Sequence, residues 1–86
     1  MDGGVNLRDA IITEHAAWRM SRRDIEVEDV RRILAAPEQL IEERRGRVVA
    51  QGMIGAYLLR VFVDVNQTPP EIVSVYRTSK VRKYRS

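Results

Sequence analysis

Tyr57-Leu58-Leu59-Arg60-Val61-Phe62-Val63-Asp64-Val65 decides the fold of this chain. Leu59, Val61 and Val63 are uniformly apolar, whereas Leu58, Arg60, Phe62 and Asp64 are mixed. That is a strand with one face for a core and one of different character, because residues two apart in a strand point the same way. Upstream, Gly55 breaks the chain before this strand, Arg47 to Met53 reads as another strand, Arg45-Gly46 as a turn and Gln39 to Arg44 as the strand before that. Downstream, Asn66-Gln67-Thr68-Pro69-Pro70 is the clearest loop, and Ile72 to Thr78 supplies a last strand with Val73 and Val75 opposed to Ser74, Tyr76 and Thr78. Alternation therefore predicts Leu59, Val61, Val63, Val73 and Val75 on a covered face. Arg60, Ser74, Tyr76 and Thr78 fall on an open one, with Arg77 reaching around the end of the covered side. A slip of one residue in register would reverse the two faces.

The covering layer precedes the strands. Thr13 can cap a helix running from Glu14 through His15, Ala16, Ala17, Trp18, Arg19 and Met20 to about Arg22. Asp24 to Val27 resets the chain, and Val27, Val30, Ile33 and Leu34 recur at helical spacing until Pro37 ends the second helix. Trp18 and Met20 read as core. Asp24, Glu26, Glu28 and Asp29 straddle a helix start, where negative charge is favoured without any metal. The expectation is an α+β domain: two N-terminal helices packed on one face of a twisted antiparallel sheet of four strands, or five if Ala10-Ile11-Ile12 forms a short first one. Residues 1–86 make one domain, with a loose N-terminus over 1–9 and a basic tail over 81–86.

Eighty-six residues leave no room for a second core. The chain has no cysteine and one histidine, which removes disulfides, thiolate zinc sites, iron–sulfur clusters and His-rich metal constellations. There is no glycine-rich phosphate loop and no G-x-S-x-G, so neither metal nor cofactor is expected. No export signal and no apolar run of spanning length is visible, which predicts a cytoplasmic protein with no membrane partner. The formal charge of +3 is unevenly distributed: Asp24 to Glu43 carries seven acids against Arg31 and Arg32, whereas Arg77, Lys80, Arg82, Lys83 and Arg85 end the chain without an acid among them. With Tyr84 inside it, that block has the composition of a nucleic-acid contact; the alternative is a solvated tail. Lys80, Arg82, Lys83, Tyr84 and Arg85 are the candidate nucleic-acid-binding residues.

Few side chains remain for chemistry. His15 is the one group whose unperturbed pKa lies near neutrality, and Arg19 shares its helix face four residues on. Cleavage of a phosphodiester through its own 2′-hydroxyl needs a base, a cation for the phosphorane and an acid for the leaving oxygen. His15 fits the proton role and Arg19 the clamp; otherwise His15 packs at the helix start. Tyr76-Arg77-Thr78-x-Lys80 forms a second cluster. Arg60, set between Leu59 and Val61, builds an anion site or pairs with an acid such as Asp64. His15, Arg19, Arg60, Tyr76 and Arg77 are the candidate catalytic residues.

The string Thr13-x-His15-Ala16-x-x-Arg19-Met20, followed by Arg22/Arg23, Ile25, an acidic helix start, Pro37 and a late Val-Tyr-Arg-Thr strand, resembles a widespread prokaryotic domain of unknown function marked by a His-Ala-x-x-Arg-Met helix. That domain in turn looks similar to the RelE/ParE-like toxins and other small metal-independent ribonucleases. The resemblance implies a toxin-like endoribonuclease acting on RNA and held by a cognate antitoxin. On this footing Arg60, Tyr76 and Arg77 fall where such nucleases place basic and aromatic strand residues, although RelE-type sites need no histidine on the first helix, and ParE-like relatives poison gyrase and do not cut RNA. The alternative is a non-catalytic nucleic-acid- or protein-binding module that uses the basic C-terminus and the open sheet face. A homodimer through the sheet edge is a third expectation.

Overall fold

A computed structural model describes residues 7–84. Arg85 lies outside the described residues, as does most of the N-terminus expected to be loose. Leu7–Asp9 forms a 3-10 turn with Leu7 buried, and Ile11–Ile12 is strand β1. Helix α1 spans Glu14–Arg22. Its Thr13 cap accepts from the Ala16 amide at 3.1 Å and donates to the Ile72 carbonyl at 2.8 Å, so one hydroxyl both closes the helix and ties it to the sheet. The other end closes with Asp24 at φ 59°, the Asp24 amide on Ser21 O and the Ile25 amide on Met20 O. This is a Schellman stop with aspartate where glycine is usual. Helix α2, Val27–Ala35, buries Val30, Ile33 and Leu34.

Beyond Pro37 come β2 (Gln39–Arg44), β3 (Arg47–Ile54), β4 (Tyr57–Asp64) and β5 (Glu71–Thr78), then the four-residue helix α3, Val81–Tyr84. The open, five-stranded sheet has the order β1-β5-β4-β3-β2. Strands β2 to β5 form the expected antiparallel meander, but β1 pairs with β5 in parallel, which makes the sheet mixed. The chain leaves β1, crosses through both helices to the far edge and returns strand by strand, so the last strand arrives beside the first with the same direction.

The core joins Ala16 and Met20 of α1 and Val30, Ile33 and Leu34 of α2 to Ala50, Leu59, Val61, Val63, Ile72 and Val75 of the sheet. Gly52 lets α2 come close, because a Cβ there would sit 2.9 Å from the Ile33 side chain. Two expectations about the core are corrected. The β4–β5 register slips between Phe62 and Val63, so that Val63 faces Ile72 and Val61 faces Val75. Val73 becomes the extra residue of a bulge, and Ile72 takes the buried place that strict alternation gives to Val73. Trp18 is 57% exposed; it stands two residues from both Ala16 and Met20, about 200° around the helix from the buried stripe.

Candidate active site on the open sheet face

The face away from the core cluster, expected to be open, is partly covered, since Val49 and Leu58 are buried on it; it carries Gln51, Arg60 and Tyr76 in one row across three strands, because Gln51 pairs with Arg60 and Arg60 with Tyr76. Gln51 is fully buried. A buried amide must be satisfied, and this one is. Its Oε1 accepts from Arg60 Nε at 2.8 Å, and its Nε2 donates to Gln39 Oε1 at 2.6 Å and to the Tyr84 carbonyl at 2.9 Å. Arg60 also donates through Nη1 to the Tyr76 hydroxyl. Its guanidinium lies 4.2 Å from the Tyr84 ring centroid and 5.4–5.5 Å from those of Phe62 and Tyr76. Phe62 and Tyr76 stack at 5.7 Å, and Tyr84 meets Tyr76 edge-on at 6.3 Å.

The result is an arginine held in plane by two hydrogen bonds and three rings, with Nη2 making no hydrogen bond among the described residues. Asp64, the acid proposed as its partner, is engaged elsewhere: Arg47 donates to both of its oxygens, at 2.6 and 3.2 Å.

The two tyrosines differ. Burial, and its hydrogen bond with Tyr84, hold the Tyr76 proton on more tightly than usual. The Tyr84 pKa is lowered, chiefly by the same hydrogen bond and then by the nearby Lys83 and Arg60 charges, which favour its phenolate. One group that stays protonated and one that loses its proton more readily, beside a fixed cation, is an acid–base pair in outline.

The other sequence candidates stand apart. His15 and Arg19 are on α1, in the helix layer, where Arg19 Nε donates to His15 Nε2 at 2.8 Å. The sheet separates that pair from Arg60. Arg77 pairs with Leu59 and so faces the helix side, where Nη1 reaches the Asp24 carbonyl at 3.4 Å and the side chain lines a cavity of about 40 Å³ with Ile25, Asp29, Ile54, Tyr57 and Leu59. Lys80, Arg82 and Lys83 are exposed, with Lys83 5.4 Å from the Tyr84 ring. Tyr84, grouped with the tail, joins Arg60 and Tyr76.

Gln51 was missed in the sequence, yet it was findable. A two-residue turn at Gly55-Ala56 pairs Ile54 with Tyr57 and therefore Gln51 with Arg60. Helix α3 left no such mark. Among the described residues no group of His, Cys, Asp and Glu is placed to hold a metal ion, and no helix is long and apolar enough to cross a membrane. Comparison with curated proteins and with solved structures finds no match. A family model described as a domain of unknown function, DUF4258, matches residues 12–77, and the chain belongs to that family.

Proposed function

We propose that this DUF4258 chain is a toxin-like endoribonuclease that cleaves RNA without a metal, with its site on the open sheet face. The observation that carries the reading is the Arg60-centred cluster, in which two tyrosines of opposite proton disposition flank one fixed guanidinium. Tyr84, as phenolate, takes the proton of a 2′-hydroxyl. The 2′ oxygen bonds to phosphorus, the bond from phosphorus to the 5′ oxygen breaks, and Tyr76 protonates the departing oxygen. The products are a 2′,3′-cyclic phosphate and a 5′-hydroxyl, and the hydrogen bond between the tyrosines returns the proton for the next turnover. Arg60 holds the phosphorane through Nη2, while Arg82 and Lys83 neutralise neighbouring phosphates.

His15 and Arg19 have no part in this step, because the sheet lies between. The order of two helices and then a meander agrees with a RelE-like arrangement. Edge strand β2, with Leu40 55% and Ile41 37% exposed, suits an antitoxin or a second copy that adds a strand.

Incubation of the purified protein with RNA in a chelator should yield fragments with cyclic phosphate ends, and Arg60→Ala should lower the rate by about 10²–10³. Abolition by the chelator would remove the metal-free mechanism. RNA binding with no cleavage at any pH would replace the enzyme with a binding module.

A further inference from the structure

The pair that the proposed site leaves unused lies within a larger surface. His15, Trp18, Arg19 and Arg22 recur at three- and four-residue spacing and so share one face of α1. Trp18 is 57% exposed, the highest value among the large apolar side chains that reach solvent. The Arg22 guanidinium lies 5.0 Å from the centroid of its ring. His15 Nε2 holds Arg19 at Nε, which leaves the two terminal nitrogens of Arg19 without a partner among the described residues.

We infer that this face of α1 is a second contact for single-stranded nucleic acid, on the opposite side of the sheet from Arg60. A helix that docks on a protein presents an apolar ridge at i, i+3, i+4 and i+7. Here the ridge is one aromatic and two arginines beside a histidine, and the other exposed residues of the helix are Glu14, Ala17 and Ser21. One flat ring flanked by cations is the composition that stacks a base and neutralises its flanking phosphates. Asp24, Glu26 and Glu28 follow the helix and are exposed, so they bound the surface at its C-terminal end. Exposed Glu14, four residues before Trp18, bounds it at the other end. This inference rests on the reading of the chain as an RNA-acting protein and adds a route for the strand beyond the cleavage site.

Trp18 is the only tryptophan, so its fluorescence reports on this face alone. The probe is a single-stranded DNA oligonucleotide, which lacks the 2′-hydroxyl and cannot be cut, titrated into the Arg60→Ala/Tyr84→Phe/Arg82→Ala/Lys83→Ala protein so that the open-face contacts are removed. Quenching is expected to persist there. It should weaken in Arg19→Ala and Arg22→Ala, each lowering the slope of log affinity against log salt by about 0.7. With a labelled oligonucleotide read by anisotropy, Trp18→Ala should bind about tenfold more weakly. Binding seen by anisotropy in the wild-type protein without any change in Trp18 emission overturns the inference and leaves the open-face site standing. Loss of cleavage in Arg60→Ala with quenching intact supports both. Equal quenching by polyglutamate of matched charge overturns the nucleic-acid assignment in favour of an acidic protein partner.

Discussion

Gln51 is where stability and the proposed chemistry meet in a single side chain. Its amide satisfies Arg60, Gln39 and the Tyr84 carbonyl at once, so Gln51→Leu keeps the volume but takes the Gln51 partner from Arg60 Nε and from the Tyr84 carbonyl. The expected loss is about 1–3 kcal/mol, read by urea denaturation. A Gln51→Leu/Arg60→Met double variant should recover part of it while remaining inactive, because the unpaired guanidinium goes too. The tyrosines give a pH signature. The proposed mechanism requires Tyr84 deprotonated and Tyr76 protonated. Since the Tyr84 pKa is lowered and the Tyr76 pKa raised, the rate should climb as pH passes a value below 10 and fall only above it. A profile left unchanged by Tyr84→Phe would instead remove the tyrosine pair from the mechanism.

At the scale of elements, the Schellman stop after α1 holds Asp24 at φ 59°. Asp24→Gly should raise stability by about 0.5–1 kcal/mol in thermal melts, since glycine adopts that conformation without steric cost. The contact with Arg77 uses the backbone carbonyl and should survive. Strands β3 and β4 are clasped by Arg47 and Asp64, whose side chains are 24% and 29% exposed. The hydrogen bond from Arg47 lowers the Asp64 pKa, so its contribution is fully present above the ordinary carboxylate range and is lost as pH falls through the lowered value. Asp64→Asn should therefore flatten the acid limb of the stability curve, by about 0.5–1 kcal/mol.

These elements were legible because local chemistry encodes them. Thr13, Pro37, Gly46 and Gly55 mark ends and turns whatever surrounds them, and the strand between Pro37 and the Arg45-Gly46 turn has the expected bounds, Gln39 to Arg44. The bulge at Val73 was not legible, since an inserted residue changes the face of its neighbours without changing their type. The burial of Ile72 in place of Val73 appears only once β4 is laid beside β5.

For the whole molecule, the sheet is a partition. It sends His15 and Arg19 to one side and Arg60, Tyr76 and Tyr84 to the other, and linear order gives no hint of that division, because a candidate list ignores layers. Helix α3 shows the same limit from the other direction. Arg82-Lys83-Tyr84 reads as a tail by composition, yet the Tyr84 ring and carbonyl are seated on Arg60 and Gln51, a contact between positions far apart in sequence. The central claim, that the open face and not the helix layer carries the chemistry, is tested most directly by initial rates of RNA cleavage in chelator for Tyr84→Phe and His15→Ala side by side. The account predicts that Tyr84→Phe falls by about 10²–10⁴ with its melting temperature unchanged, while His15→Ala stays within a few-fold of the parent. Cleavage that survives Tyr84→Phe and vanishes in His15→Ala would contradict it.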